Sequence, residues 1–174
     1  MSGVLSRFRR DRRGVSAVEF ALIAPVLITF YFGLAELTQA MMAERRAGHA
    51  AAAIGDLVAQ SSSVTEAELD DIFKIAAKII EPFPSTDLKM RVTSISQSAG
   101  GTKTLDWSEG SGMSGLTSVP TLPNGLIGNG QSVIISEVTY KYNSPVDYVV
   151  PNGISMAKTS YLRPRKSDKV ALKD

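Results

Sequence analysis

The chain has no cysteine and a single histidine among its 174 residues. Without cysteine there is no disulfide framework, no thiolate nucleophile and no cysteine-ligated zinc site. The single histidine, His49, leaves no histidine cluster that could bind a metal. We therefore predict neither a disulfide-stapled domain nor a thiol or zinc enzyme, and we predict no cofactor.

An excess of positive over negative charge is confined to one short segment. Residues 1–14 contain five arginines against Asp11, whereas the remaining residues contain 14 basic and 16 acidic side chains. The formal net charge of +2 therefore comes from the head of the chain. A nucleic-acid-binding domain carries its basic residues on one face or along one helix of the fold. Nucleic acid is accordingly not predicted as a partner.

Residues 15–35 form a long apolar run whose only charged residue is Glu19. A membrane-spanning helix needs about 20 predominantly apolar residues, so this run is long enough. Because basic flanking residues stay cytoplasmic, we predict a single-pass helix with a cytoplasmic N-terminus and an exported C-terminal region. A cleaved secretory signal fits less well, since its apolar region is about 7–15 residues long. A twin-arginine signal fits less well too, because the expected apolar pair does not follow the arginines.

The start of this segment reads R-R-D-R-R-G-V-S-A-V-E-F. A basic leader is followed by Gly14 and then by an apolar helix with Glu19 at its fifth position. This arrangement resembles the class III signal of type IV pilin-like proteins, whose leader a prepilin peptidase removes after glycine. With A-L-I-A-P-V-L following, the segment resembles the TadE/TadF-like minor pseudopilins of tight-adherence (Tad/Flp, type IVc) pili.

The resemblance implies a pilus-assembly subunit that initiates, caps or supports a pilus for surface adhesion. It implies cleavage between Gly14 and Val15, and assembly through Glu19 and Phe20. The implied partners are the prepilin peptidase, other minor pseudopilins, the major pilin, an inner-membrane assembly platform and the lipid bilayer. The implied location is the bacterial inner membrane, with the C-terminal domain in the periplasm or incorporated in the pilus.

Two other interpretations of the same residues stay open. Glu19 lies near the end of the span, where a charge costs less than the roughly 2.5–3.5 kcal/mol of the helix centre, so it could be a tolerated interfacial charge. The whole chain could be an uncleaved envelope protein whose periplasmic sheet binds another membrane component.

Residues 36–60 lack proline and are rich in alanine. This composition predicts that the first helix continues beyond the span to about Ala59. Small residues recur there at spacings of three and four and predict close packing against another element: Ala47, Gly48, Ala51, Ala52 and Gly55. Over residues 64–81 we predict a second, amphipathic helix, opened by a capping box of Thr65 and Glu68 and ended by Pro82.

Residues 86–163 change to a strand pattern, with apolar residues alternating after Leu88 and again after Ser132. A loop rich in glycine and proline occupies residues 109–130. Helices followed by strands predict an α+β fold, in which a small antiparallel sheet packs on the helices. We expect the basic tail, residues 164–174, to be solvated and frayed. Four further blocks resemble the same family: Arg91-Val92, Leu105–Ser108, Glu137–Tyr142 and Leu162–Arg165.

The chain is not predicted to be an enzyme. Ser155 and Lys158 match the S-x-x-K pattern of serine acyl-enzymes, in which the lysine lies one helical turn from the nucleophile. Here the pair falls in an alternating, strand-like segment, where residues three apart face opposite sides. We attribute the match to chance. A membrane-tethered hydrolase, in which Ser155 and Lys158 are catalytic, is a third and weaker interpretation of the chain.

Overall fold

The computed structural model describes residues 14–144 and 152–173, so the arginines of the basic leader and part of the loop before the last long strand lie outside the described residues. The helices and strands follow in the order α1 Val15–Ala59, β1 Ser63–Thr65, α2 Glu66–Ile80, β2 Leu88–Gln97, β3 Lys103–Ser111, β4 Ser132–Tyr142, β5 Ile154–Leu162 and β6 Ala171–Lys173. Two helices and an antiparallel sheet confirm the predicted α+β fold.

The long helix α1 has two parts that differ in their surroundings. It runs without interruption through Pro25, and its side chains up to Ala35 are exposed or partly exposed. Burial begins at Glu36 and then recurs every three or four residues: Ala40, Ala43, Ala47, Ala50, Ala51, Ile54, Gly55, Val58 and Ala59. The first part therefore projects from the folded domain, and the second part is built into it.

The second helix begins with the predicted capping box. The Thr65 hydroxyl accepts a hydrogen bond from the backbone N–H of Glu68 at 3.2 Å, and the Glu68 carboxylate accepts one from the backbone N–H of Thr65 at 2.8 Å. These two bonds satisfy donors that every helix leaves unpaired at its start. One face of α2 packs against the core through the buried side chains of Leu69, Phe73 and Ile80.

The larger sheet has the strand order β3-β2-β4-β5, with all three neighbouring pairs antiparallel. One face packs on the helices, and its buried side chains include Met90, Val92, Ile134 and Val138. Successive residues of a strand point to opposite faces. Thus Ile95, Val133 and Ile135 form a second, smaller core on the other face.

The loop rich in glycine and proline covers this second core. Leu122 and Ile127 from the loop are 9% and 8% exposed and pack against Ile95 and Val133. The loop is also held by polar contacts: the Ser108 hydroxyl accepts from the backbone N–H of Leu116 at 2.9 Å. It therefore provides the sheet with a cover where α1 and α2 do not reach.

Residues 164–173 are not frayed, so that part of the prediction is wrong, although most of their side chains are solvated as expected. Residues 164–173, here called the closing segment, cross the end of the domain and finish as β6, which pairs in parallel with β1. Val170 is fully buried, and its carbonyl accepts a hydrogen bond from Trp107 Nε1 at 2.8 Å. The backbone N–H of Arg165 donates to the carbonyl of Ala59 at 2.8 Å. The segment is polar in composition but is attached by the apolar side chains of Val170 and Leu172, by backbone hydrogen bonds and by ion pairs of Arg165 with Asp56 and of Lys169 with Asp106.

Candidate assembly site on the N-terminal helix

The predicted cleavage junction lies at the very start of α1. Gly14 is the N-cap, with φ −85° and ψ −13°, and its carbonyl accepts from the backbone N–H of Val18 at 3.1 Å. A Cβ atom added at Gly14 would meet nothing within 4 Å. Neither its backbone conformation nor packing against the residues that the structure describes therefore requires glycine at position 14.

The predicted assembly residues lie on an uncovered stretch of the same helix. Val15 is 49% exposed and Phe20 is 69% exposed, and Glu19 is exposed between them. Glu19 follows Val15 by four residues, which places the two on one face, one turn apart. Within the described residues, no other element covers this part of the helix. Its side chains are free to meet lipid or another helix.

The projecting part of α1 has the length and composition of a membrane span. Its most apolar window has a mean hydropathy of 2.0, and none of that window is buried in the domain. A core helix of a soluble protein would bury such a window. One long apolar N-terminal helix of this kind fits a single-pass membrane protein.

The small residues near the end of α1 fix the helix on the sheet. A Cβ atom at Gly55 would lie 2.3 Å from Cδ1 of Leu162 and 3.0 Å from Oγ of Ser136. The Ser136 hydroxyl donates to the carbonyl of Ala51 across the same contact. The predicted small-residue packing is thus used inside the molecule, against β4 and β5, and only Ala52 of the five small residues is left exposed.

Glu36 is a buried charge that the sequence analysis did not single out. It is 1% exposed, and its Oε1 accepts a hydrogen bond from the Ser144 hydroxyl at 2.7 Å. Burial raises the pKa of the neighbouring Tyr142 above its ordinary value, and the negative charge of Glu36 raises it further. The sequence marks Glu36 only by its position, since it is the first polar residue after the span. Its contact ties α1 to the end of β4 where the helix leaves the domain.

The S-x-x-K residues are not brought together. They lie on β5, as predicted, where their side chains point to opposite faces. The Lys158 ammonium instead pairs with Glu44 of α1 at 2.6 Å. Lys158 is therefore occupied in holding the strand to the helix.

Comparison with known proteins finds a family similarity in the N-terminal part of the chain. The TadE-like protein family matches residues 14–55, from the glycine of the predicted cleavage motif to the glycine packed on β5. The resemblance predicted from the motif is confirmed over these residues, which are similar to TadE-like proteins. The match does not reach the four later blocks, whose resemblance stays a prediction. No curated protein and no solved structure matches the chain.

Proposed function

With a TadE-like helix at its N-terminus, we propose that this chain is a minor pseudopilin of a tight-adherence (Tad) pilus system. The family match supports association with such a pilus. In the proposal, the span of α1 holds the subunit in the bacterial inner membrane, and the sheet lies in the periplasm. A prepilin peptidase removes the leader, and the uncovered part of α1 then packs against related subunits. The role is structural, and no catalytic residue is assigned.

The surroundings of Gly14 support the processing step of this proposal. Gly14 has ordinary dihedral angles and open space where a side chain would go. Gly55, by contrast, is required by the close approach of Leu162. Among residues 14–144 and 152–173 no contact accounts for a glycine at position 14, which supports a role for it in recognition by another molecule. A residue without a side chain lets the backbone approach a peptidase closely.

The exposure of the span supports assembly through α1. Among the described residues, the domain buries α1 only from Glu36 onward and leaves most of the Val15–Ala35 stretch exposed. A helix that carries a charge inside an apolar span points to a partner for that charge. Cleavage before Val15 would create a positive amine one turn from Glu19. The same amine on a neighbouring subunit is the proposed partner of that carboxylate.

Intact mass spectrometry tests the processing step directly. The chain is expressed in cells with and without the prepilin peptidase and is then extracted from membranes. We expect a mature chain that begins at Val15 only when the peptidase is present, and we expect Gly14→Leu to block cleavage because its side chain obstructs the approach of the enzyme. Ala21→Leu, which adds the same side chain to an exposed position farther along α1, should be processed normally. A chain that still begins at Met1 in the presence of the peptidase would instead favour the uncleaved envelope protein.

A further inference from the structure

The loop that covers the second core contains two Asn-Gly pairs, Asn124–Gly125 and Asn129–Gly130. An asparagine that precedes glycine is prone to lose its side-chain amide in water, because glycine leaves the next backbone nitrogen open to the asparagine side chain. All four residues are exposed, and a Cβ atom at either glycine would meet nothing within 4 Å. Sequence and exposure alone therefore do not distinguish the two pairs. A third pair, Asn152–Gly153, directly follows residues 145–151, which lie outside the described residues.

The two loop pairs occupy the same positions of a β-turn. In the first turn, the backbone N–H of Leu126 donates to the carbonyl of Pro123 at 3.3 Å, and the equivalent bond from Gln131 in the second turn is 3.1 Å long. The glycine is the third residue of each turn, with φ +77° at Gly125 and +73° at Gly130. Glycine adopts this left-handed conformation without strain. The two turns are thus matched in sequence and in backbone form.

Gln97, the last residue of β2, fastens the second turn. Its Nε2 donates to Oδ1 of Asn129 at 2.7 Å, and its carbonyl accepts from the backbone N–H of Gly130 at 2.9 Å. Both groups that would react, the side-chain amide and the glycine nitrogen, are thereby held. Among residues 14–144 and 152–173, no hydrogen bond engages the side chain of Asn124 or the N–H of Gly125. The first turn therefore leaves the same two groups free.

We propose that Asn124 is a site of spontaneous deamidation and that Gln97 protects Asn129 from the same reaction. A base removes the proton from the Gly125 N–H, and the nitrogen attacks Cγ of Asn124. The new bond closes a succinimide ring. The bond from Cγ to the side-chain nitrogen breaks, and that nitrogen takes a proton from water and leaves as ammonia. Water then opens the ring at either carbonyl carbon and yields aspartate or isoaspartate at position 124.

The protection of Asn129 follows from the number of bonds that must open. The attack requires the asparagine side chain to swing onto the next backbone nitrogen, so the turn must first open locally. Among the described hydrogen bonds of the first turn, the 3.3 Å bond that closes it resists this opening. In the second turn the two bonds to Gln97 must break as well. Local opening becomes rarer as more contacts have to be broken.

Deamidation would change the charge of the outer face of the sheet. Residues 110–136 contain no charged side chain, so a carboxylate at position 124 would be the first charge in this stretch. The pair lies between Leu122 and Ile127, which pack on the second core. The isoaspartyl product also adds a methylene group to the backbone of the turn. The cover of the second core thus becomes charged and altered as the protein ages, whatever the role of the chain in a pilus.

Incubation of the purified chain in isotopically labelled water tests the inference. The chain is kept in detergent in a mildly alkaline buffer, and the label in each new carboxylate marks deamidation that occurs during the incubation. Chymotrypsin cuts after Leu126 and so puts Asn124 and Asn129 in different peptides for mass spectrometry. We expect deamidation at Asn124 to be about tenfold faster than at Asn129, because two further hydrogen bonds must open at Asn129.

Two variants and one change of condition identify the cause of the difference. Gln97→Ala removes the side-chain bond to Asn129 and should raise the rate there by about threefold while the rate at Asn124 is unchanged. Gln60→Ala removes a glutamine amide that bonds Asp56 and should change neither rate. In urea the contacts of the folded chain are lost, so the two rates should converge.

Equal rates in the folded chain, or a faster rate at Asn129, would overturn the proposal. It would also be overturned if Asn124 were modified in urea but not in the folded chain, because the first turn would then be protected too. A difference in rate that persists unchanged in urea, or that Gln97→Ala does not reduce, would overturn the protective role of Gln97.

Discussion

Glu19 and Glu36 lie on the same helix in opposite surroundings. Glu36 is buried and accepts a hydrogen bond from Ser144. Glu19 is exposed, 17 residues nearer the N-terminus, which is about 26 Å along the axis. A charge in an apolar span is costly without a partner. The structure meets this requirement for Glu36 inside the subunit, whereas Glu19 contacts no partner among the residues that the structure describes.

Substitution of Glu19 by alanine should abolish co-assembly while leaving insertion and cleavage intact. Removing one partner of a buried ion pair costs about 3–5 kcal/mol, because the other charge is left unpaired, and the cost is smaller where water or headgroups reach the site. Crosslinking of the subunit to its neighbours, together with counts of pili per cell, measures the effect. Glu66→Ala, at an exposed glutamate of α2, is the control and should assemble normally. Normal crosslinking and piliation in the Glu19 variant would identify Glu19 as a tolerated interfacial charge.

Gly55→Leu should destabilise the domain by about 1–3 kcal/mol, the usual cost of forcing extra side-chain volume into a packed contact. A Cβ atom at position 55 would lie 2.3 Å from Cδ1 of Leu162 and 3.0 Å from Oγ of Ser136. The new side chain must therefore displace both of these side chains. Thermal unfolding in detergent measures the loss. The control is Ala52→Leu, three residues earlier on the exposed face of the same helix. Equal melting temperatures for the two variants would show that the contact at Gly55 tolerates a side chain.

At the scale of whole elements, the sequence predicted those parts whose signals are local. The capping box of α2 and the helix from Val15 to Ala59 have the predicted positions because caps and composition act within a few residues. The loop rich in glycine and proline was predicted, but its packing on the outer face of the sheet and the attachment of the closing segment were not. Their burial depends on partners far along the chain, such as Trp107 for Val170, and composition alone marks both segments as polar or irregular. The candidate site follows the same rule: Gly14 and Glu19 are marked by a local motif, whereas Glu36 acquires its role from Ser144.

Trp107→Phe should weaken the attachment of the closing segment by about 0.5–1.5 kcal/mol, the net contribution of one hydrogen bond. The substitution keeps an aromatic ring and removes the Nε1 donor to the Val170 carbonyl. Hydrogen exchange should therefore become faster at β1 and β6, and the urea midpoint should fall. Tyr161→Phe removes a polar group from another aromatic residue, one that is 40% exposed, and should change neither measurement. Unchanged exchange in the Trp107 variant would show that the other contacts of the closing segment hold it without this hydrogen bond.

For the molecule as a whole, we expect the basic leader to set the orientation of the proposed span in the membrane. The acidic residues that follow the span are paired or buried within the domain, since Glu44 contacts Lys158 and Glu36 contacts Ser144. The positive charge before the span is then the main determinant of topology. A reporter active only in the periplasm should be active when it is fused after Asp174. Activity of a cytoplasmic reporter at that site would reverse the orientation.

Replacing the leader arginines with glutamine should produce mixed orientation in the same assay, because the excess of basic residues before the span is removed. The positions are Arg7, Arg9, Arg10, Arg12 and Arg13. Arg45 and Arg46 lie on the folded part of α1, and replacing both with glutamine should leave the orientation unchanged. Full periplasmic activity after removal of the leader arginines would assign the topology to another part of the chain.

The pairing of β1 with β6 sets an order of events during biosynthesis. Ser63 pairs with Ala171, so the whole of the four-stranded sheet lies between the two partners in the chain. Contacts between segments so far apart form slowly, because a long loop must be closed before they contribute any stability. Under the proposed topology, the polypeptide cannot complete its fold until every strand has crossed the membrane. An export route that threads unfolded chains is matched to such a domain, because the end of α1 receives its last neighbours only after transport of the sheet is finished.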